Sequence, residues 1–341
     1  MSEARTRRRT VLALALLLPA VVLAGIAAGS VSLRPGGVLL SLAARLGLGG
    51  PSPLDAAGET ILWTVRLPRV LLAALVGGGL GVVGASLQAV FRNPMADSSL
   101  LGVGGGAALG AVLAVKLGFS TQVFLAVPVA AFLGALGAVL LVYTLSHAGG
   151  RPSLHGLILT GLAVSAVAGA GTSLLLVATE EFRVKTVLFW LAGGLEGRSW
   201  SHLQLGAAFI LTGVAVLLAL ARPLDVLSLG SDEAAALGLH VHATRLAILG
   251  LTALVAGACT AVAGSVPFVG LVAPHALRPL VGSLGRHLLP AAFLAGAVLV
   301  VLADLASRTL SAQLDLPLGS LTAFVGAPYF LIALRGSEAR G

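Results

Sequence analysis

Nine long stretches of this chain contain no Asp, Glu, Lys or Arg: 10–33, 70–91, 98–115, 117–150, 152–179, 199–221, 246–277, 287–303 and 316–334. Nothing else in the sequence constrains the fold as strongly. A bilayer core about 30 Å thick needs about 20 helical residues to cross it, and a backbone in lipid must satisfy its own polar groups, which selects helices. Eight stretches suit one helix each, with residues of 117–150 left over for a loop near Ser146–Gly150. The stretch 246–277 would form a helix of about 48 Å at 1.5 Å per residue, too long for one crossing. It is interrupted by Gly264-Ser265-Val266-Pro267, and proline removes a helix donor. Splitting it there predicts ten spans, near 11–29, 69–90, 99–115, 122–145, 155–179, 201–220, 244–263, 267–281, 288–305 and 319–335, in one all-α transmembrane domain covering 1–341.

Composition agrees. Only 10% of residues are charged, whereas a soluble domain uses roughly a quarter. The 45 glycines suit close helix approach in lipid. Gly77–Gly81 and Gly102–Gly106 fall within apolar segments, so packing is their expected role. A net charge of +8 invites a nucleic-acid reading, but the arginines sit at the ends of apolar segments, as interface anchors and topology signals do. No nucleic-acid partner is expected.

Catalytic patterns are missing from the sequence. Its two lysines, Lys116 and Lys185, do not follow glycine, so no phosphate-cradling G-x-x-x-x-G-K-[ST] loop exists. Any ATP, with its Mg²⁺, must be bound and hydrolysed by another subunit, and no cofactor is expected in this chain. The single Cys259 excludes an intramolecular disulfide and reads as a core thiol. His240 and His242 lack ligand neighbours at known spacing, so solvated or capping roles are expected, and a structural role for His275. No Ser-His-Asp or paired-carboxylate arrangement is legible, which argues against a membrane-embedded enzyme.

The basic start (Arg5, Arg7, Arg8, Arg9) precedes an apolar run longer than a signal peptide's, so it reads as an uncleaved first helix with its basic end in the cytoplasm. Both termini are then cytoplasmic. Alternation places Arg92, Arg151, Arg222, Arg245, Arg278, Arg286, Arg335 and Arg340 inside as well, and Arg34, Arg45, Arg66, Arg69, Lys116, Arg183, Lys185, Arg198 and Arg308 outside. Twelve basic residues inside against nine outside is a weak positive-inside bias, as though the outer face needed positive charge. The apolar segment Thr186–Leu195 is too short to span and should lie along the outer surface or dip partly in.

Four stretches together carry a specific pattern. Arg66-Leu67-Pro68-Arg69 enters a Gly-rich helix reaching Gln88, then Arg92-Asn93-Pro94-Met95-Ala96-Asp97 and Leu101-Gly102-Val103. Leu227-Ser228-Leu229-Gly230 precedes Asp232-Glu233 and Ala236-Leu237-Gly238. Phe268-Val269-Gly270-Leu271-Val272-Ala273-Pro274-His275 is followed by Arg278. Ala303-Asp304, Arg308, Leu316-Pro317-Leu318-Gly319 and Gly326-Ala327-Pro328-Tyr329-Phe330 close the chain. In this order, over nearly the whole length, they resemble the FecCD-type permeases of ABC importers. Three departures are visible: Asp315 stands where the family more often has Glu, the break at Gly264–Pro267 moves its proline, and Leu154 and His155 stand where small hydroxyl residues are expected.

The resemblance implies a type II importer fold, a permease homodimer, two ATPase subunits, a periplasmic substrate-binding protein and a bacterial inner membrane. It implies that Arg66, Arg69 and Arg308 meet carboxylates on the binding protein, where rim charges chiefly steer encounter. It makes the loop from Ser228 to Gly238 a short helix that docks on the ATPase. Ser231 is expected to cap that helix, with Asp232 and Glu233 in its first turn and Ala234, Ala235, Ala236 and Leu237 as its apolar contact face before Gly238. Asn93 and Met95 match positions that narrow the cytoplasmic gate, and Leu154 and His155 should add a second constriction. The resemblance implies a cargo among haem, an iron-siderophore chelate, cobalamin or a metal oxyanion, with haem first. A secondary transporter is the rival class, and it would require acids in the middle of spans.

Overall fold

The structure is a computed structural model and describes residues 2–29, 31–48, 50–119, 123, 125–147, 154–310 and 316–338. Arg151, Asp315, Arg340 and most of the expected loop after Ser146 lie outside them. Helix α1 (Ser2–Ala27) is followed by α2 (Pro35–Arg45) and a long α3 (Ala56–Val90). A 3₁₀ turn at Ser98–Leu101 leads to α4 (Val103–Lys116), α5 (Ala126–His147), α6 (Leu154–Val177) and α7 (Glu181–Ala192). Then come α8 (Trp200–Ala219), α9 (Ala221–Leu229), α10 (Ser231–Ala236), α11 (Val241–Ala263), α12 (Val269–Val281), α13 (Gly285–Thr309) and α14 (Leu318–Glu338). The described residues contain no strand.

Among the described residues, seven helices, α1, α3, α5, α6, α8, α11 and α13, are long and apolar enough to cross a membrane. A helix also stands at each of the other three expected spans, but α4, α12 and the apolar part of α14 (Leu318–Ile332) are shorter. This is a multi-pass membrane protein.

Several helix ends differ from the expected spans, α1 starting at Ser2 rather than 11 among them, and two show a local cause. The span expected to begin at 69 belongs to a helix that already starts at Ala56, after an Asp55 side-chain cap on the Gly58 N–H at 2.8 Å. Pro68 explains how the helix continues through Arg66: proline cannot donate to the fourth carbonyl back, and the preceding Ile61–Arg66 slips into π-helical register. At the break, α11 stops at Ala263, and α12 starts at Val269 rather than 267 because Phe268 adopts a left-handed conformation (φ 65°). Gly264 at φ 68° abuts the Trp190 carbonyl, and Gly194 N–H donates to Ala263 O at 2.8 Å, so the break is tucked against the end of α7. Within α7 and just beyond it, Val187, Trp190 and Leu195 are buried.

The post of the fold is α3. Its apolar window is 89% buried, against 22% for α1 and α6, whose outward Leu16, Leu159, Leu162 and Leu174 are exposed as lipid-facing side chains are. Helices in lipid gain little from apolar burial alone, so close van der Waals contact must hold them. A Cβ at Gly77 would overlap the Gly296 backbone, one at Gly81 the Ala292 carbonyl, and one at Gly84 the Gly270 carbonyl. Glycine at these positions lets α13 and α12 lie directly on α3. Gly106 makes the same approach from α4 to Gly134 on α5.

Candidate functional site

At one end of the bundle α1 terminates, leaving backbone carbonyls without intrahelical donors. Two arginines from elsewhere supply them. Arg66 Nη1 donates to Ile26 O at 2.7 Å and Ala27 O at 2.8 Å, and its Nη2 donates to Val31 O. Arg308 donates to Gly25 O at 2.8 Å and Ala28 O at 3.0 Å. Positive charge at a helix C-terminus is also favoured by the macrodipole. Gly29 (φ 153°) lies where a Cβ would press on both guanidinium groups.

Beneath them Asp304 on α13 is fully buried. Arg69 Nε donates to its Oδ1 at 2.8 Å, and Arg308 Nε to its Oδ2 at 3.1 Å. The structure thus brings Arg66, Arg69 and Arg308 into one cluster, with Arg66 only 4% exposed and the other two side chains 11% and 8%. Their hydrogen bonds are directed inward, to a carboxylate and to α1. With three cations against one carboxylate, the cluster retains surplus positive charge.

At the opposite end lie the residues expected to form the gate and the coupling helix. Asn93 Oδ1 accepts the Met95 N–H at 2.9 Å, an Asx turn that fixes the loop after α3. Asp97 Oδ1 accepts the Ser99 N–H at 3.0 Å and caps the 3₁₀ turn. Burial pushes the Asp97 carboxyl above its ordinary value, against the hydrogen bonds from Ser99 and Ser98. That 3₁₀ turn packs on α6, where a Cβ at Gly161 would overlap Leu100 O. Leu154, half-buried, and His155, exposed, form the first turn of the same helix.

Helix α10 corrects two expectations. Ser231 does not cap it. Gly230 holds the N-cap position at φ 140°, which a side chain strongly disfavours, and Ser231 Oγ instead accepts Arg245 Nη2 at 2.9 Å. Ala234 is not on the outward face: it is fully buried, since a single helical turn must put one residue against α9 and α11. Ala235, Ala236 and Leu237 are exposed, Leu237 by 67%, and so are Asp232 and Glu233. Gly238 at φ 82° ends the helix in a Schellman motif, with Leu239 N–H to Ala234 O at 3.0 Å and Gly238 N–H to Ala235 O at 2.9 Å.

Sequence reasoning missed the groups that join these elements. Arg278 on α12 donates to Gln88 Oε1 on α3 at 2.7 Å, and Gln88 Nε2 lies 3.4 Å from Gly270 O. Asp225 Oδ1 on α9 accepts the Gly285 N–H at 2.5 Å and so caps α13. Gln88, Arg278, Asp225 and Gly285 line a cavity of about 360 Å³ with Arg92, Asn93, Pro94 and Ser228. Polar side chains in so apolar a chain were the available signal.

A model of the FecCD transport family matches residues 16–336. The chain belongs to this family. Among FecCD relatives it is 41% identical over 284 residues to the hemin transport system permease of Yersinia pestis, covering 82% of this chain and 85% of that one. It is 40% identical over 301 residues to the cobalamin import system permease of Halobacterium salinarum, covering 88% and 79%. It is 37% identical over 335 residues to the Fe(3+)-citrate import system permease YfmE of Bacillus subtilis, covering 97% of each. A solved inward-facing structure described as a metal-chelate type ABC transporter superposes with a TM-score of 0.85 at 32% identity, over 96% of this chain and 99% of that one. As a FecCD protein the chain is a transport permease and not an enzyme.

Proposed function

We propose that this chain is the membrane subunit of an ATP-driven importer, a homodimer that works with two ATPase subunits and a periplasmic substrate-binding protein in a bacterial inner membrane. The observation that carries this reading is α10 and the residue that follows it. Ala235, Ala236 and Leu237 are exposed, while Asp232 and Glu233 beside them keep the helix in water. Lipid cannot cover such a patch; a protein groove can, and an ATPase surface is the partner the relatives' class supplies. In this reading α4, α12 and α14 complete ten spans of the type II fold, α10 and both termini face the cytoplasm, and Asn93, Met95, Leu154 and His155 form the inner gate.

The arginine cluster then faces the periplasm. Its three cations exceed the single Asp304 carboxylate, and the surplus field steers an acidic binding protein to this end, an effect that weakens with salt. Haem is the cargo we favour within a class that includes ferric citrate and siderophore chelates, cobalamin and metal oxyanions. Support comes from the hemin permease relative and from span interiors with few charged groups, which suit a large carrier-delivered cargo better than a bare ion. A secondary transporter would need a free acid in mid-span; buried Asp304 is already held by two arginines.

The test is uptake of haem, ferric citrate and cobalamin by proteoliposomes containing the chain, its ATPase and its binding protein. Haem uptake under ATP is the expected result. Uptake of ferric citrate or cobalamin without haem overturns the cargo assignment, and uptake by the chain alone under an ion gradient overturns the importer reading.

A further inference from the structure

We propose that Arg92 is the positioning residue through which the coupling helix α10 sets the gate loop, an inference that rests on the importer reading above. Arg92 is one of two non-glycine residues with positive φ among the described residues (φ 52°). The other, Phe268, marks the α11–α12 break. Arg92 follows the last turn of α3, with Asn93 N–H to Gln88 O at 3.1 Å and Arg92 N–H to Ala89 O at 3.3 Å. This is a Schellman motif with arginine at the position where glycine is normally used. A side chain held there against its backbone preference points to a task for that side chain.

Its guanidinium reaches α10. A Cβ built on Gly230, the N-cap of α10, would stand 3.4 Å from Arg92 Nη1 and would collide with the Glu233 carboxylate. The cation of the gate loop and the anion of the coupling helix therefore flank one glycine. The residues after Arg92 are those that narrow the gate: Asn93 and Met95 are locked to each other by the 2.9 Å Asx bond, so they move with Arg92 as a unit.

The surroundings decide which side of this joint can yield. The stem α9 is fastened to α13 by Asp225 on the Gly285 N–H, and α10 to α11 by Arg245 on Ser231. Arg92, Asn93 and Pro94 border the same cavity of about 360 Å³ as Asp225 and Gly285, and that space leaves the loop room to shift. A displacement of α10 by an ATPase moves Glu233 and Gly230, Arg92 follows the carboxylate, and the Asn93–Met95 turn is carried across the gate.

Arg92→Gly separates this role from a structural one, because glycine suits the left-handed backbone better than arginine. An idle side chain predicts a neutral or stabilised protein with unchanged cargo moved per ATP. A positioning role predicts an intact complex that still hydrolyses ATP but moves at least about five-fold less cargo per ATP, the lower end of ordinary coupling energies. Glu233→Gln should fall in the same direction, and the charge-exchanged pair Arg92→Glu with Glu233→Arg should recover part of the loss. A second readout does not need cargo: Met95→Cys, in a chain whose own Cys259 is buried, should label at different rates with and without trapped ATP. Arg92→Gly should abolish that difference. Wild-type stoichiometry in Arg92→Gly, or a persisting labelling difference, overturns the proposal. If the wild type moves no cargo, the importer reading fails, and the labelling comparison still decides the role of Arg92.

Discussion

Asp304 lies at the centre of the arginine cluster, and removing one member of it separates two accounts of those arginines. Arg308→Ala strips Asp304 of one of its two cations and also leaves the Gly25 and Ala28 carbonyls without their donor. Breaking a buried ion pair by removing one partner costs about 3–5 kcal/mol. With an unfolding entropy of about 0.7 kcal/mol/K for a chain this long, that lowers the melting temperature by about 4–7 °C. Arg69→Ala removes a single bond to Asp304 and should lower it less, while Asp304→Ala, which strands two cations, should lower it at least as much as Arg308→Ala. The single buried Cys259 makes the assay direct: a fluorogenic thiol dye in detergent reports its exposure on unfolding. Unchanged melting in Arg69→Ala and Arg308→Ala, with weakened docking of a binding protein, would refute the reasoning, because the arginines would then be free docking groups.

Three further outcomes follow from other parts of the fold. Leu237→Asp should leave melting unchanged, since Leu237 is 67% exposed and surface changes usually fall within about 0.5 kcal/mol, yet abolish ATPase co-purification; retained co-purification contradicts the role of α10. Gly84→Val must push α12 off α3, because even a Cβ overlaps the Gly270 backbone, and should sharply reduce the yield of folded protein, whereas Gly104→Ala, with open space around it, should be silent; equal yields contradict the close approach. Because burial raises the Asp97 pKa above 3.8, the folded chain keeps a proton that the unfolded chain releases. Stability therefore falls as pH rises from 3.8 through the raised value, then levels off; Asp97→Asn should flatten that part of the profile, and an unchanged profile refutes the assignment.

What the sequence made legible was whatever one residue type reports on its own segment. The charge gaps marked where the long apolar helices stand, and Gly264 with Pro267 marked the break, because both residues act locally on the backbone. Alternation assigned Arg66, Arg69 and Arg308 to one end of the bundle. What they touch was not legible, since Arg69 meets Asp304 across 235 residues of sequence and Arg66 meets carbonyls, which carry no residue signature. The early start of α3 was hidden because Glu59 and Arg66 interrupt the apolar run; the Ser41 hydroxyl at 2.6 Å accommodates Glu59, and the α1 carbonyls accommodate Arg66. Capping by Ser231 was inferred from its residue type just before Asp232 and Glu233, whereas the Gly230 dihedral moved the cap by one residue. In a six-residue helix periodicity cannot say which alanine faces inward, so Ala234 needed the fold.

In the proposed importer, a partner's ATP hydrolysis moves α10, and that motion opens and closes the permease. The most direct measurement is chelate uptake into proteoliposomes that hold the chain with its ATPase and binding protein, set against liposomes that hold the chain alone under a proton or sodium gradient. Uptake only in the complete system, dependent on ATP and lost in Leu237→Asp, is the expected result. Gradient-driven uptake by the chain alone would contradict it.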